Sequence, residues 1–264
     1  MKIISILPIL SILIVAGCVG QTSQNVGELF LGYAEKSASI DNYRIHYETD
    51  YRIEGSGQSL DLDGEMLINE QGDDSYVFYS FQDPTSLRTV ESHVYKIDSN
   101  IYSCVWEKGS TQKRCIETKN VPEDLAPDPV QERRQIQALL DEGVVTLAYE
   151  GRKSAAGYNC DSIVIEYDLD KLKEKAPLAA IGSEITFMRQ SQCYEIDSGL
   201  PLIMTLNMRL LQGDGAIEST LATTATEFSR VNSEISLPED VEIADLGSGV
   251  FGNITGFGTN ESEE

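Results

Sequence analysis

Apolar and polar side chains alternate one for one from Tyr43 to Ile53. Tyr43, Ile45, Tyr47, Tyr51 and Ile53, with Thr49, share one side, and Arg44, His46, Glu48, Asp50 and Arg52 the other. Period-two alternation marks an antiparallel strand with one face packed and one wet. After the turn residues Gly55-Ser56-Gly57, the pattern repeats as Leu60, Leu62, Met66 and Ile68 against Asp61, Asp63 and Glu65. Further strands are predicted at 76–81, 94–97, 101–106 and 114–118, then at 144–149, 160–167, 185–196, 202–211 and 217–228. Three segments carry helical spacing instead. The first is 28–40, with Leu29, Phe30, Tyr33, Ala34, Ser37 and Ile40 on one stripe and Asn25 with Glu28 as a cap pair. The second starts at Asp128-Pro129, carries Ile136, Leu139 and Leu140, and stops at Gly143. The third is a short helix over 170–176. This order predicts a mainly β (α+β) domain: one large curved antiparallel sheet with a few helices covering its apolar face.

The N-terminus follows another rule. Met1-Lys2 precedes an apolar run from Ile3 to Val15 and then Ala16-Gly17-Cys18, the layout of an export signal. The run contains Pro8 and falls short of the roughly 20 residues a membrane span needs. Val15-Ala16-Gly17-Cys18 resembles the lipobox of prokaryotic lipoproteins, which implies cleavage before Cys18 and lipidation of its thiol. The alternative is an ordinary cleaved signal with an incidental Cys. The expected organisation is a signal peptide at 1–17, a lipidated tether at 18–27, a folded domain at 28–240, and a Gly-rich acidic tail at 241–264.

Setting Cys18 aside leaves Cys104, Cys115, Cys160 and Cys193, an even number in an exported chain. Cys104 and Cys115 flank the turn signal Lys108-Gly109-Ser110 and can face each other across a hairpin; Cys160 and Cys193 are then the remaining pair. Four reduced thiols or a four-Cys metal site are the alternatives, and the absence of any CxxC spacing argues against zinc.

Charge and chemistry narrow the function. Asp and Glu number 43 against 20 Lys and Arg, a net charge of −23. Such a surface repels phosphate and excludes nucleic-acid binding and a polybasic dock on anionic lipid, so any membrane attachment rests on Cys18. His46 and His93 read as surface residues, and no hydrolase, zinc-protease or P-loop motif occurs. Asp61-Leu62-Asp63-Gly64-Glu65 lacks the remaining ligands of a calcium loop and alternates as a strand does. No enzyme activity, cofactor or metal is expected. Asn253-Ile254-Thr255 and Asn260-Glu261-Ser262 match the N-glycosylation pattern, usable in an archaeal or similarly equipped cell.

Taken together, the element order and the lipobox resemble the lipoprotein-carrier superfamily, the half-barrels of the LolA/LppX/LprG type. The stretch Gly157-Tyr158-Asn159-Cys160-Asp161-Ser162-Ile163-Val164-Ile165 is similar to that family's strand after its mid-chain helix. Cys193-Tyr194-Glu195-Ile196-Asp197-Ser198-Gly199-Leu200-Pro201 is similar to its strand–turn–strand. The resemblance implies a concavity between sheet and helices that holds an acyl chain or other apolar ligand. Tyr43, Tyr47, Tyr51, Met66, Met204 and Met208 are the candidate ligand-facing residues, since aromatic and thioether side chains make an adaptable slot. The competing reading is a filled core and a structural or interaction lipoprotein of the cell envelope without a small ligand; the protein partner stays open.

Overall fold

The computed structural model describes residues 23–245, apart from 56, 84–85, 87, 120–128, 176–183, 213–214 and 231–233. Cys18, the signal segment and the two sequons lie outside the described residues. Helix α1 is Ser23–Ala38. Strands β1 (Asn42–Gly55), β2 (Gln58–Gln71), β3 (Asp74–Gln82), β4 (Thr89–Ile97), β5 (Asn100–Glu107) and β6 (Lys113–Thr118) follow as a meander. Helix α2 (Pro129–Asp141) precedes β7 (Val145–Ala155) and β8 (Tyr158–Tyr167). Helix α3 (Leu169–Lys175) leads to β9 (Glu184–Glu195), β10 (Pro201–Gln212), β11 (Gly215–Ser229) and β12 (Val241–Asp245).

Among the described residues twelve strands form one sheet in the order β12-β6-β5-β4-β3-β2-β1-β11-β10-β9-β8-β7. Neighbours are antiparallel except β12, which lies parallel to β6. The predicted single antiparallel sheet of the α+β class is therefore present as an open curved half-barrel. At Gly64 two strands come unusually close. A Cβ there would stand 2.6 Å from the Ser80 carbonyl oxygen, so only glycine lets β3 approach β2 this closely.

The helices pack where their sequences demand. Val26, Phe30, Leu31 and Tyr33 of α1 are buried together with Ile136 and Leu140 of α2 and Leu172 of α3. The helices lie chiefly over β7 and β9, at one end of the sheet. Gly143 adopts φ +62°, and the Gly143 and Val144 amides donate to Leu140 and Leu139, which ends α2 as predicted.

Three differences from the sequence expectations stand out. Helix α1 spans Ser23–Ala38, so the segment expected as tether already carries buried Val26, and positions 25 and 28, expected as a cap pair, lie within the helix. Val241–Asp245, assigned to the tail, is a strand of the sheet. His93, expected at the surface, is 8% exposed within an aromatic cluster.

Both disulfides form as paired above. Cys104–Cys115 bridges directly opposed residues of β5 and β6, and Cys160–Cys193 ties β8 to β9 beside Leu200 and Leu202.

Candidate functional site

Register places the predicted ligand-facing residues on one side of the sheet. Tyr51 lies between Leu62 on β2 and Leu221 on β11; Leu221 faces Leu206, Leu206 faces Gln190, Gln190 faces Ile165, and Ile165 faces Leu147. One row of side chains thus crosses seven strands. The next row runs Thr49, Thr223, Met204, Gln192, Ile163 and Tyr149, and a third holds Ile53, Ser219, Met208 and Met188. Tyr47 pairs with Met66, and Tyr43 with Glu70, on the same side.

At the β7–β9 end this face is filled. Tyr33 stacks on Tyr194 with ring centres 5.4 Å apart, and Phe30 meets Tyr194 edge-on. The Tyr33 hydroxyl donates to Asp161 at 2.6 Å, and Tyr149 and Arg152 donate to the same carboxylate. Burial alone would raise the Asp161 pKa, but these hydrogen bonds and the Arg152 charge outweigh it and hold the group below its usual range. Towards β1 and β2 the side chains are less covered. Tyr43, Tyr51, Leu60, Leu62, Met66, Met204, Met208 and Leu221 are half-buried. Tyr47 is the exception: it is fully buried and donates to the Pro201 carbonyl at 2.6 Å, reaching past the intervening β11 to the start of β10. Burial pushes the pKa values of Tyr43, Tyr47 and Tyr51 upwards, so these phenols stay neutral at ordinary pH. Beside Tyr43, burial lifts Glu70 to about 7 against the pull of Lys96.

In these three rows the polar groups are few and uncharged; the carboxylates of the face, Asp161 and Glu70, lie outside them. Gln190, Gln192, Ser219 and Thr223 are all buried. Gln190 accepts from the Tyr167 hydroxyl at 3.0 Å. Gln192 accepts from the Tyr194 hydroxyl, while its amide nitrogen is buried without a partner. The one signal in the sequence is that Gln190 and Gln192 share the period-two face of Met188 and Tyr194, which marks them as inward-facing amides.

The opposite face has a different character at each end. Near β1 and β2 it carries a depression of about 440 Å³ lined by Glu48, Asp50, Asp63, Glu65, Ser80 and Lys108. His46 stands at its margin, 4.0 Å from Glu65. Near β4 to β6 the same face is apolar: Tyr95, Cys104, Trp106 and Cys115 are covered by Ile235 and Leu237, from the segment joining β11 to β12.

An open half-barrel with one partly covered apolar face is the class of structure this chain defines. No protein-family model and no curated protein matches the sequence. Among solved structures, LprF from Mycobacterium bovis is similar in fold at 10% identity, with 83% of this chain and 98% of that one covered and a TM-score of 0.38. The lipoprotein LppX from Mycobacterium tuberculosis matches at 13% identity over 80% and 99% of the two chains, with a TM-score of 0.28. A DUF1329 family protein from Desulfovibrio piger matches at 13% identity over 81% and 95%, with a TM-score of 0.29. Likeness at this level does not reach function.

Proposed function

We propose that the chain is a lipid-anchored binding protein on the extracytoplasmic face of the cell membrane, holding a lipid or other apolar ligand between sheet and helices. The observation that carries this reading is the Leu62–Tyr51–Leu221–Leu206 row. It continues the packed core past the main helix contacts, yet its side chains stay half-buried. An apolar strip at the margin of a packed core gains stability when a ligand removes it from water. The role is binding rather than catalysis: the three rows present amides and hydroxyls, Asp161 is held by Tyr33, Tyr149 and Arg152, and both histidines lie on the other side of the sheet. No helix among the described residues is long and apolar enough to cross a membrane. The anchor in this proposal is the lipobox at Cys18, where a diacylglyceryl group with two chains holds a protein stably without basic residues.

A second reading draws on Phe81 and Val105, 43% and 61% exposed on that same face. It makes the protein an interaction lipoprotein of the cell envelope with a filled core and no small ligand. Native mass spectrometry of the membrane-extracted protein separates the two. Retained lipid together with the mass of a diacylglyceryl Cys18 supports the first. A lipid-free protein that takes up no neutral apolar probe favours the second, and an unmodified Cys18 on a retained leader removes the anchor.

A further inference from the structure

Resting on the reading of the apolar face as a ligand site, we infer that its ligand carries an uncharged hydrogen-bonding group, an ester, amide or hydroxyl, and that Gln192 is the residue that selects it. Gln192 is fully buried between Ile163 of β8 and Met204 of β10. One end of its amide is engaged by Tyr194, and the other is buried without a partner. The Tyr194 hydroxyl donates to the amide oxygen, so the unpaired end is the N–H donor, which calls for an acceptor oxygen on the ligand. An unpaired buried amide costs free energy that a ligand group of matching polarity restores.

Neighbouring side chains exclude a charged ligand group. The row through Gln192 contains Thr49, Thr223, Met204, Ile163 and Tyr149, and the adjoining one Tyr51, Leu221, Leu206, Gln190 and Ile165. None carries a charge. The carboxylate of Asp161, the nearest ionised group on this face in the β8 register, is already committed to Tyr33, Tyr149 and Arg152. A carboxylate or ammonium placed beside Gln192 would be desolvated without a counter-ion, whereas an ester carbonyl would not. Access runs past Met204, which is half-buried and, as an unbranched thioether, the side chain in the row easiest to displace.

The test uses the mature full chain, freed of bound lipid, with the uncharged dye N-phenyl-1-naphthylamine as probe. Methyl palmitate, palmitate and hexadecane compete for it. Methyl palmitate is expected to displace the dye at roughly tenfold lower concentration than hexadecane, with palmitate weaker than the ester. In Gln192→Leu the ester should lose that advantage while hexadecane is unaffected. An infrared spectrum of ester labelled with carbon-13 at the carbonyl reads the hydrogen bond in the wild-type chain, and so does not depend on the variant folding. A lowered carbonyl frequency on binding supports the inference. An unshifted band, or an ester-to-alkane ratio unchanged in Gln192→Leu, overturns it and leaves the ligand site standing. Failure of the dye and all three competitors to bind overturns the ligand site itself.

Discussion

The imidazole of His93 stacks on the indole of Trp106, with ring centres 4.1 Å apart and planes 23° from parallel. Glu91 joins them: it accepts from the Trp106 ring nitrogen at 2.9 Å and stands 3.7 Å from His93. Tyr76 completes the group through its hydroxyl, 3.0 Å from the other imidazole nitrogen.

This stack makes stability depend on pH. Burial lowers the His93 pKa, and the lowering prevails over the opposing pull of Glu91. A histidine whose folded pKa is depressed binds fewer protons folded than unfolded, so stability rises with pH across that window. His93 should therefore lower the melting temperature as pH drops below about 6.5, the ordinary histidine value, against the opposite contribution of Glu70 over the same range. Thermal melts of His93→Phe between pH 8 and pH 5 should lack the His93 contribution. An unchanged slope would mean that His93 does not carry the effect.

Asp161 acts at the other end of the sheet and over a lower range. Its folded pKa is depressed, so its contribution is present above the ordinary aspartate value and lost as pH falls through the folded one. Tyr33→Phe removes one donor and should cost about 1 kcal/mol, and Asp161→Asn about 2 to 3 kcal/mol, because three donors then lose their ion. Hydrogen exchange of the α1 amides should quicken in both variants. Protection as slow as in the wild-type chain would show that the carboxylate does not hold α1 down.

Glu70 has the opposite sign. Burial raises its pKa to about 7, so the folded state favours the protonated acid and stability falls as pH rises from about 4.5 to 7. Glu70→Gln should consequently raise the melting temperature at pH 8 and leave it nearly unchanged at pH 4. A titration of the labelled side-chain carboxyl by NMR gives the value directly.

Two glycines separate backbone need from incidental use. Gly64→Ala places a methyl group against the Ser80 carbonyl and should destabilise by at least about 2 kcal/mol. Gly32 sits within α1 with nothing within 4 Å of the added Cβ, so Gly32→Ala should stabilise by about 1 kcal/mol. Urea unfolding of the pair checks both; equal effects of the same sign would refute the strand-approach explanation for Gly64.

The sequence shows the first half of this architecture clearly, for a physical reason. In β1 and β2, Tyr51 stands between Asp50 and Arg52 and Leu62 between Asp61 and Asp63, so period two names both the strand and its wet face. The pattern fails in β4 and β5. There Val94 and Val105 occupy one side while His93, Cys104 and Trp106 occupy the other, so alternation no longer tells which is covered. The covering residues, Ile235 and Leu237, come from a segment without periodicity, and β12 carries only a short apolar pair, Val241 and Ile243. Of the site, the six aromatic and methionine positions were legible as one face. Gln192 was not, because its importance lies in a missing partner, which depends on strand register.

The parallel pairing of β12 with β6 also bears on how the molecule is made. Arg114 and Glu242, which form an ion pair at 3.1 Å across this pairing, are 128 residues apart. Closing so long a loop is slow, and β6 emerges from synthesis long before its neighbour exists. Until then its hydrogen-bonding groups form an unsatisfied border, a template for a strand of another chain. Strand β12 therefore serves as a seal, and a nascent chain that stalls before residue 241 keeps an adhesive edge.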